Sequence, residues 1–179
     1  AAIRDIVRTW EGALSEAAEA AGSVPELKRI AARFSEGYRD AFSPAVALAD
    51  ARCLAGVSAA NPIAIDYYRD TGQSPEQASL KIYHYGSPMA LSRRVPVLEN
   101  MGFRVISERT FEIAAEGTDK VFIHDMELES AYGRPVNLSD GGTLFDDAFL
   151  AVWRGDVDND GYNCLAQTAG LWSNEILIL

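Results

Sequence analysis

Two neighbouring stretches decide the fold: residues 80–113, LKIYHYGSPMALSRRVPVLENMGFRVISERTFEI, and residues 120–129, KVFIHDMELE. The first begins with strand-like alternation, turns at a Gly-Ser-Pro sequence, and continues as an amphipathic helix that Gly102 would end. The alternation then returns twice. The predicted elements are a strand at Leu80–Tyr85, a helix at Ser92–Met101 with Ser92 as N-cap, and strands at Phe103–Ile113 and Val121–Leu128. In the second strand, we expect Arg104 and Glu108 to share one face and Ser107 and Arg109 the other.

The sequence on either side of these stretches is mostly helical. Helices are expected on three apolar stripes, which begin near Ile3, after a capping-box-like start at Ser23, and at Ser43-Pro44. The second of these stripes extends to Tyr38. A further helix should begin at Thr143 and end at Gly155.

The run Ile63–Arg69 is short and β-like. This order of elements predicts an α+β fold: a ferredoxin-type, ACT-like antiparallel sheet with helices on one face, preceded by a helical N-terminal segment. The usual fourth strand of such a sheet is missing from the end of the pattern. We therefore place Ile63–Arg69 at that edge, as an antiparallel neighbour of Leu80–Tyr85.

Charge and composition exclude several classes of function. The chain has 179 residues, 16 Lys+Arg against 26 Asp+Glu, and a formal net charge of −10. Such an acidic chain is a poor ligand for nucleic acid or for an anionic membrane, and no apolar run has membrane-spanning length. Two cysteines are too few for a secreted disulfide framework, so a reducing cytoplasm is expected.

Three stretches resemble a single protein family closely: residues 80–109, VFIHDMELE at residues 121–129, and AVWRGDVDNDGYN at residues 151–163. The family is the large-type bacterial NAD-specific glutamate dehydrogenase, and the resemblance is to its non-catalytic N-terminal region. It implies an ACT-like module in a homo-oligomeric enzyme that converts L-glutamate and NAD to 2-oxoglutarate, ammonium and NADH. The chain has no initiator Met and ends on EILIL, so we expect a fragment of that enzyme.

The expected domain organisation follows from the elements and the resemblance together. A helical segment occupies residues 1–60, and the ACT-like α+β domain occupies residues 61–155. Residues 156–179 are expected to begin a helical linker toward a catalytic region. The alternative is a free-standing ACT-like module that binds an amino acid and regulates other proteins.

The catalytic parts of a glutamate dehydrogenase are missing from this sequence. That chemistry requires lysines in a Gly-rich setting to hold carboxylates and a Gly-rich turn for the dinucleotide pyrophosphate. Lys28, Lys81 and Lys120 lie in no such setting, and no GxGxxG occurs. We predict no catalytic residue and no cofactor in this segment, with NAD bound elsewhere in the full-length enzyme.

The turn between the first core strand and its helix is the place where amino-acid-binding ACT modules hold their ligands. Backbone N–H groups at a helix start suit a carboxylate. The resemblance therefore predicts an amino-acid effector site at Gly86 and Ser87, bordered by Met89 and Asn100. The alternative is an ordinary strand–helix turn in a module that serves assembly alone.

No metal site is expected. Asp156, Asp158 and Asp160 imitate the opening of an EF-hand loop, but Gln167 occupies the twelfth position, where a bidentate acidic ligand is needed. We predict that this run binds no calcium and that Asp160 lies at a helix start. His124 precedes an aspartate, but adjacent strand residues point to opposite faces, so no catalytic dyad forms there.

Overall fold

The chain forms two compact units in the computed structural model, which describes residues 9–22, 25–114, 120–138, 141–170 and residue 175. The first unit contains the described residues up to Ala64, together with Tyr83–Ser87 and the described part of Phe111–Ile123. The second contains Ile65–Ile82, Pro88–Thr110 and the described residues from His124 onward.

Helices make up much of the first unit: α1 (Trp10–Ala20), α2 (Pro25–Ala31), α3 (Glu36–Ala41) and α4 (Pro44–Ala55). The predicted start of α4 is confirmed, because the Ser43 hydroxyl accepts a hydrogen bond from the Val46 N–H at 3.4 Å. The apolar stripe that ends at Tyr38 is divided between two helices. The reason is a second cap: the Ser35 hydroxyl accepts from the Tyr38 N–H at 3.4 Å and begins α3. The predicted start at Ser23 lies outside the described residues.

Aromatic rings fill the core of the first unit. The Tyr38 ring stacks on Phe34 with centroids 4.0 Å apart, and its edge contact with Phe111 has centroids 5.4 Å apart. Asp50 of α4 is only 1% exposed within this core. Its carboxylate accepts hydrogen bonds from the hydroxyls of Tyr38 and of Tyr83, the latter at 2.9 Å. A buried carboxylate is costly unless it is hydrogen-bonded, so these two donors stabilise Asp50 inside the core.

The sheet has four strands in the order β1-β2-β4-β3. They are β1 (Ile63–Tyr68), β2 (Gln77–Tyr85), β3 (Phe103–Ala114) and β4 (Lys120–Ser130). Tyr85 donates its N–H to the Pro62 carbonyl, so the end of β2 pairs with the start of β1. The Gly86 N–H donates to the Lys120 carbonyl, and the Ser130 N–H donates to the Glu76 carbonyl. The end of β2 therefore lies beside the start of β4, and the start of β2 beside the end of β4. These neighbours are antiparallel, and the predicted sheet with Ile63–Arg69 at its edge is confirmed.

One strand is longer than its composition indicates. β2 begins at Gln77 rather than at Leu80, although its first residues are polar. Two side-chain bonds hold this polar start in place: Arg69 Nε donates to the Gln77 carbonyl at 3.1 Å, and Gln73 Nε2 donates to Ser79 Oγ at 2.9 Å. Pairing with the neighbouring strands therefore overrides residue preference here.

β3 does not alternate as the sequence predicts. Its cross-strand side-chain pairs with β4 are Arg104–Glu129 at 3.6 Å, Ser107–Glu127 at 2.8 Å and Arg109–Asp125 at 2.7 Å. Between the first two pairs, β3 advances by three residues while β4 advances by two, so β3 contains one extra residue, a β-bulge. The predicted pairing of Arg104 with Glu108 on one face is therefore wrong. Arg104 shares its face with Ser107 and Arg109, and Glu108 points the other way.

The second unit adds α5 (Leu91–Asn100), α6 (Gly141–Arg154), a 3-10 helix (Gly161–Cys164) and α7 (Leu165–Thr168). The prediction of Ser92 as N-cap of α5 is wrong: the cap is Ala90, which makes no side-chain capping bond. α6 begins two residues before the predicted Thr143, and it ends at Arg154, directly before the glycine predicted to end it, Gly155. Its fully buried Phe145 stacks on Tyr67 of β1 with ring centroids 4.2 Å apart.

Gly102 and Gly155 both follow helices, and comparing them distinguishes the backbone strain of an added Cβ from the cost of a steric clash. Gly102 and Gly155 have similar left-handed φ values of +88° and +82°. A Cβ at Gly155 would meet open space, whereas at Gly102 it would lie 3.0 Å from Cε2 of Tyr132. We expect Gly155→Ala to lower the free energy of unfolding by about 1 kcal/mol and Gly102→Ala by about 2–3 kcal/mol in urea denaturation. In a Tyr132→Ala background, Gly102→Ala should cost no more than Gly155→Ala. Equal costs for the two single variants would contradict the role of the Tyr132 contact.

Candidate functional site

The residues predicted to form an effector site are divided between the two units. Gly86 and Ser87 belong to the first: the Gly86 N–H is bonded to the Lys120 carbonyl at 2.8 Å, and the Ser87 carbonyl lies 2.7 Å from His84 Nδ1. Met89 and Asn100 belong to the second. Asn100 Nδ2 donates to Asn159 Oδ1 at 3.0 Å, whereas Met89 contacts a buried polar cluster.

This cluster lies between the start of α5 and strands β3 and β4, and we call it the Arg94 cluster. Arg94 Nη2 donates to Glu108 Oε1 at 2.9 Å, and Thr110 Oγ1 lies 2.6 Å from the same oxygen. Thr110 Oγ1 also lies 2.9 Å from His124 Nδ1, and the Met89 N–H donates to His124 Nε2 at 3.0 Å. Arg94 is 1% exposed and His124 is fully buried.

The partners of His124 define its tautomer. Nε2 accepts from a backbone N–H, so it carries no proton, and Nδ1 carries the ring proton instead. Nδ1–H then donates to the Thr110 hydroxyl, whose single hydrogen goes to Glu108. The chain of bonds is consistent only with a neutral imidazole, because a proton on Nε2 would face the Met89 N–H. His124 thereby ties the residues before α5 to β3 and β4.

Arg94 is incompletely satisfied. Among the described residues, the buried side-chain nitrogen and oxygen atoms without a hydrogen-bond partner are Arg94 Nε, Arg94 Nη1 and Asp146 Oδ1. Nε carries one N–H and Nη1 carries two, so three of the five guanidinium donors are unpaired. Leaving a buried donor unpaired costs about 1–3 kcal/mol, and more for a charged group. An arginine kept in this state is a candidate anion-binding group.

Burial and charge act against each other within the Arg94 cluster. Burial lowers the pKa of the Arg94 guanidinium below its usual value, and the Glu108 charge opposes this. Burial raises the pKa of Glu108, but the Thr110 hydrogen bond and the Arg94 charge outweigh it and hold that pKa below its usual range. Arginine is not deprotonated in proteins, and the lowered pKa of Glu108 favours its carboxylate form, so the two charges compensate each other.

Arg94, Glu108 and Thr110 were not predicted as site residues from the sequence. A signal for Arg94 was present: it lies three and four residues before Val97 and Leu98, on the stripe that forms the buried face of α5. Glu108 and Thr110 gave no comparable signal, because their orientation depends on the β-bulge in β3. His124, for which the sequence predicted no dyad with Asp125, bonds to Thr110 and to the Met89 N–H instead.

A second polar feature crosses the sheet, and we call it the charge row: Asp66 on β1, Lys81 on β2, Asp125 on β4 and Arg109 on β3. The strand register places Asp66 and Asp125 opposite Lys81 on either side. Lys81 is 1% exposed and Asp125 is 7% exposed, and Asp125 accepts from Arg109 Nη2 at 2.7 Å. Charges of alternating sign along the row allow a lysine to be buried in a sheet.

The acidic run after α6 forms a turn and a helix cap. Asp160 caps the 3-10 helix: its carboxylate accepts from the Tyr162 N–H at 2.9 Å, and Asn163 Oδ1 accepts from the Asp160 N–H at 2.8 Å. The prediction that Asp160 lies at a helix start is confirmed. In the described part of the chain, no three His, Cys, Asp or Glu side chains are grouped to hold a metal ion. That Asp156, Asp158 and Asp160 bind no calcium stays a prediction.

Comparison with known proteins decides the family. Residues 62–140, which include the whole sheet and the Arg94 cluster, match the family described as the glutamate dehydrogenase ACT3 domain. This segment is a glutamate dehydrogenase ACT3 domain. The family resemblance and the ACT-like fold predicted from the sequence are both confirmed.

The whole chain, which contains this ACT3 domain, is similar to NAD-specific glutamate dehydrogenases from several bacteria. That of Pseudomonas aeruginosa is 33% identical over 146 residues, 82% of this chain and 9% of the relative. That of Halomonas elongata is 33% identical over 86% of the chain and 9% of the relative. That of Mycobacterium tuberculosis is 30% identical over 99% of the chain and 11% of the relative. The chain thus spans about a tenth of their length and matches a non-catalytic region.

None of its described helices is long and apolar enough to cross a membrane.

Proposed function

We propose that this ACT3 domain is a regulatory or assembly segment of a large NAD-dependent glutamate dehydrogenase. The observation that supports this most directly is 30–33% identity over 82–99% of the chain to a region of NAD-specific glutamate dehydrogenases. The whole protein would convert L-glutamate and NAD to 2-oxoglutarate, ammonium and NADH in the cytoplasm. NAD would bind in a part of the enzyme outside this chain.

The lysines support a non-catalytic role for the segment itself. Lys81 is buried in the charge row between two carboxylates. Lys120 is exposed and pairs with Glu112 at 2.7 Å, and Lys28 is exposed on α2. A dehydrogenase site for an amino acid needs a lysine in a water-excluding pocket, close to a dinucleotide. The three lysines of this chain occupy three separate, unrelated environments.

The domain would act through its contacts with other parts of the enzyme and not through chemistry of its own. Its partners would be the rest of its own polypeptide and further copies of the enzyme in a homo-oligomer. An amino-acid effector would influence the enzyme by binding one arrangement of the domain more tightly than another. The Arg94 cluster supports such a role, since it joins the residues before α5 to two strands through buried bonds that a ligand or a neighbouring subunit would disturb.

Two measurements on purified proteins test this proposal. The 179-residue chain should not reduce NAD in the presence of L-glutamate, because it offers neither a pyrophosphate-binding turn nor a lysine for the substrate carboxylates. In the full-length enzyme, removal of residues 62–140 should change the subunit number in light scattering, or the response of turnover to amino acids. Turnover by the chain alone would refute the proposal. So would a deletion enzyme with the same oligomeric state, stability and kinetics as the intact one.

A further inference from the structure

A small cavity of about 100 Å³ lies beyond the C-terminal end of α5. It is lined by the turn that leads into β3, by the loop after β4 and by α7, all within the second unit. A shallower groove of about 400 Å³ shares Tyr132, Arg134 and Thr168 with it. The described residues that line the cavity include none of those predicted to form the effector site, so the two places are distinct.

The buried side chains that line the cavity are apolar: Met101, Phe103 and Val136. An apolar cavity of about 150 Å³ is large enough to hold a benzene molecule. The present cavity is smaller than that, so it suits a compact aliphatic group, about the size of an isopropyl group. Binding such a group would remove its apolar surface from water, which is favourable.

The side chains around the cavity are held in place before any ligand arrives. The Tyr132 ring lies against Gly102, where an added Cβ would come within 3.0 Å of Cε2, and its hydroxyl is hydrogen-bonded to the Cys164 thiol. Gln167 of α7 donates from Nε2 to the Tyr67 hydroxyl at 3.0 Å. A preformed site loses little conformational entropy on binding, so even a small ligand can gain affinity there.

Arg134 supplies a positive charge at the place where the cavity and the groove meet. Its backbone N–H donates to Ser130 Oγ at 3.3 Å, which fixes the loop that carries it. Its exposed guanidinium makes no hydrogen bond or ion pair within the part of the chain that the structure describes. An apolar cavity beside an uncompensated guanidinium therefore favours a ligand with one apolar end and one anionic end.

We propose that this cavity and its groove bind a small aliphatic monocarboxylate, with the aliphatic end in the cavity and the carboxylate on Arg134. The planar guanidinium matches the two oxygens of a carboxylate. One negative charge suits a place where a single arginine is the cation, whereas a phosphate dianion would leave a charge uncompensated. This inference goes beyond the proposed function, because such binding does not require that the domain regulate an enzyme.

Three probes separate the apolar contribution from the charged one: isobutyrate, its neutral analogue isobutyramide, and acetate. The melting temperature of the 179-residue chain should rise with isobutyrate concentration at constant ionic strength, since a ligand that binds the folded state stabilises it. Isobutyramide should bind about fivefold more weakly, the loss expected for one exposed ion pair. Acetate should bind about tenfold more weakly than isobutyrate, because it places two fewer carbon atoms in the cavity.

Two variants locate the binding. Arg134→Gln should weaken isobutyrate binding about fivefold and leave isobutyramide binding unchanged, because only the acid uses the guanidinium. The matched control is Arg154→Gln, which removes another exposed arginine of the same unit, at the end of α6 and outside the lining of the cavity. It should change neither ligand. Thr168→Trp, at an exposed position on the cavity, should block isobutyrate and isobutyramide alike.

Four results would overturn the site. They are no stabilisation of the native chain by isobutyrate, equal binding of isobutyrate and acetate, equal effects of Arg134→Gln and Arg154→Gln, and unchanged isobutyrate binding in Thr168→Trp. None of these concerns assembly or turnover, so the site can fail while the regulatory role stands. Conversely, a deletion enzyme without any change would end the regulatory role and leave isobutyrate binding by the chain intact.

Discussion

Replacing Asp50 by Ala should lower the free energy of unfolding of the chain by about 3–4 kcal/mol, because two buried hydroxyls lose their acceptor together. Tyr38 and Tyr83 are both fully buried, and each donates to this carboxylate. An unpaired buried hydroxyl costs about 1–3 kcal/mol, and neither ring has room to turn its hydroxyl toward water. Urea denaturation followed by far-UV circular dichroism measures the loss.

A double-mutant cycle shows whether that loss comes from the hydroxyls. Tyr83→Phe alone should cost about 1 kcal/mol, since Asp50 keeps its bond from Tyr38. In the Asp50→Ala background, the same Tyr83→Phe change should be neutral or stabilising, because it removes an unpaired group. Asp40→Ala, at an exposed position in the same unit, is the matched control and should fall within about 0.5 kcal/mol of the native chain. Additive costs for Asp50 and Tyr83 would show that the hydrogen bond is not the source of the loss.

Asp146→Asn should make the protein more stable at pH 8, by about 2 kcal/mol after allowance for solvent screening, and leave it unchanged at pH 4. Burial, with the charge of Asp66 as a second cause, raises the pKa of Asp146 from 3.8 to about 7. Between these two values the folded state holds a proton that the unfolded state has released. The free energy of unfolding therefore falls as the pH rises from 3.8 toward 7, and the loss is complete above that range. Asn carries no charge at any of these pH values, so the variant does not undergo this loss of stability.

The measurement is the free energy of unfolding of both proteins across this pH range. The difference between them should open near the usual aspartate pKa and level off near neutrality. Asp66→Asn supplies the control for cause, because removing that charge should lower the pKa of Asp146 and end the window at a lower pH. A constant difference between Asp146→Asn and the native chain at every pH would show that Asp146 does not titrate in this range.

The order of elements could be predicted from sequence because the signals for it are local. Gly102 and Gly155 end helices, Ser43 begins one, and alternating apolar residues mark the strands. The edge position of Ile63–Arg69 required one further rule, that a ferredoxin-type sheet needs a neighbour for its first core strand. The division of the second stripe into α2 and α3 was missed because Ser35 lies among residues that also suit a continuous helix.

The candidate site was predicted less well, for a physical reason. The sequence predicted a site at the turn around Gly86, because a strand–helix turn and its free backbone N–H groups can be recognised from local sequence. The buried charges lie instead on α5 and β3. Arg94 has helical spacing from Val97 and Leu98, but Glu108 looks like an ordinary surface residue of a strand, so the pair could not be predicted. Burial of a charged pair is a property of tertiary packing, and no local pattern reports it. The burial of Lys81 was likewise not predicted, since its two carboxylate neighbours are on other strands.

The extra residue in β3 also decides which chemistry faces α5. Side chains of a strand alternate, so a length change of one residue exchanges the two faces for everything that follows. If β3 lacked its additional residue, Ser107 and Arg109 would point toward α5 in place of Glu108 and Thr110. Arg94 would then meet another guanidinium and no carboxylate, and His124 would lose its hydroxyl partner. A single-residue deletion near Ile106 is thus equivalent to a charge reversal in the interior, although it removes no charged residue. Length at this point of the strand is under the same physical constraint as side-chain identity.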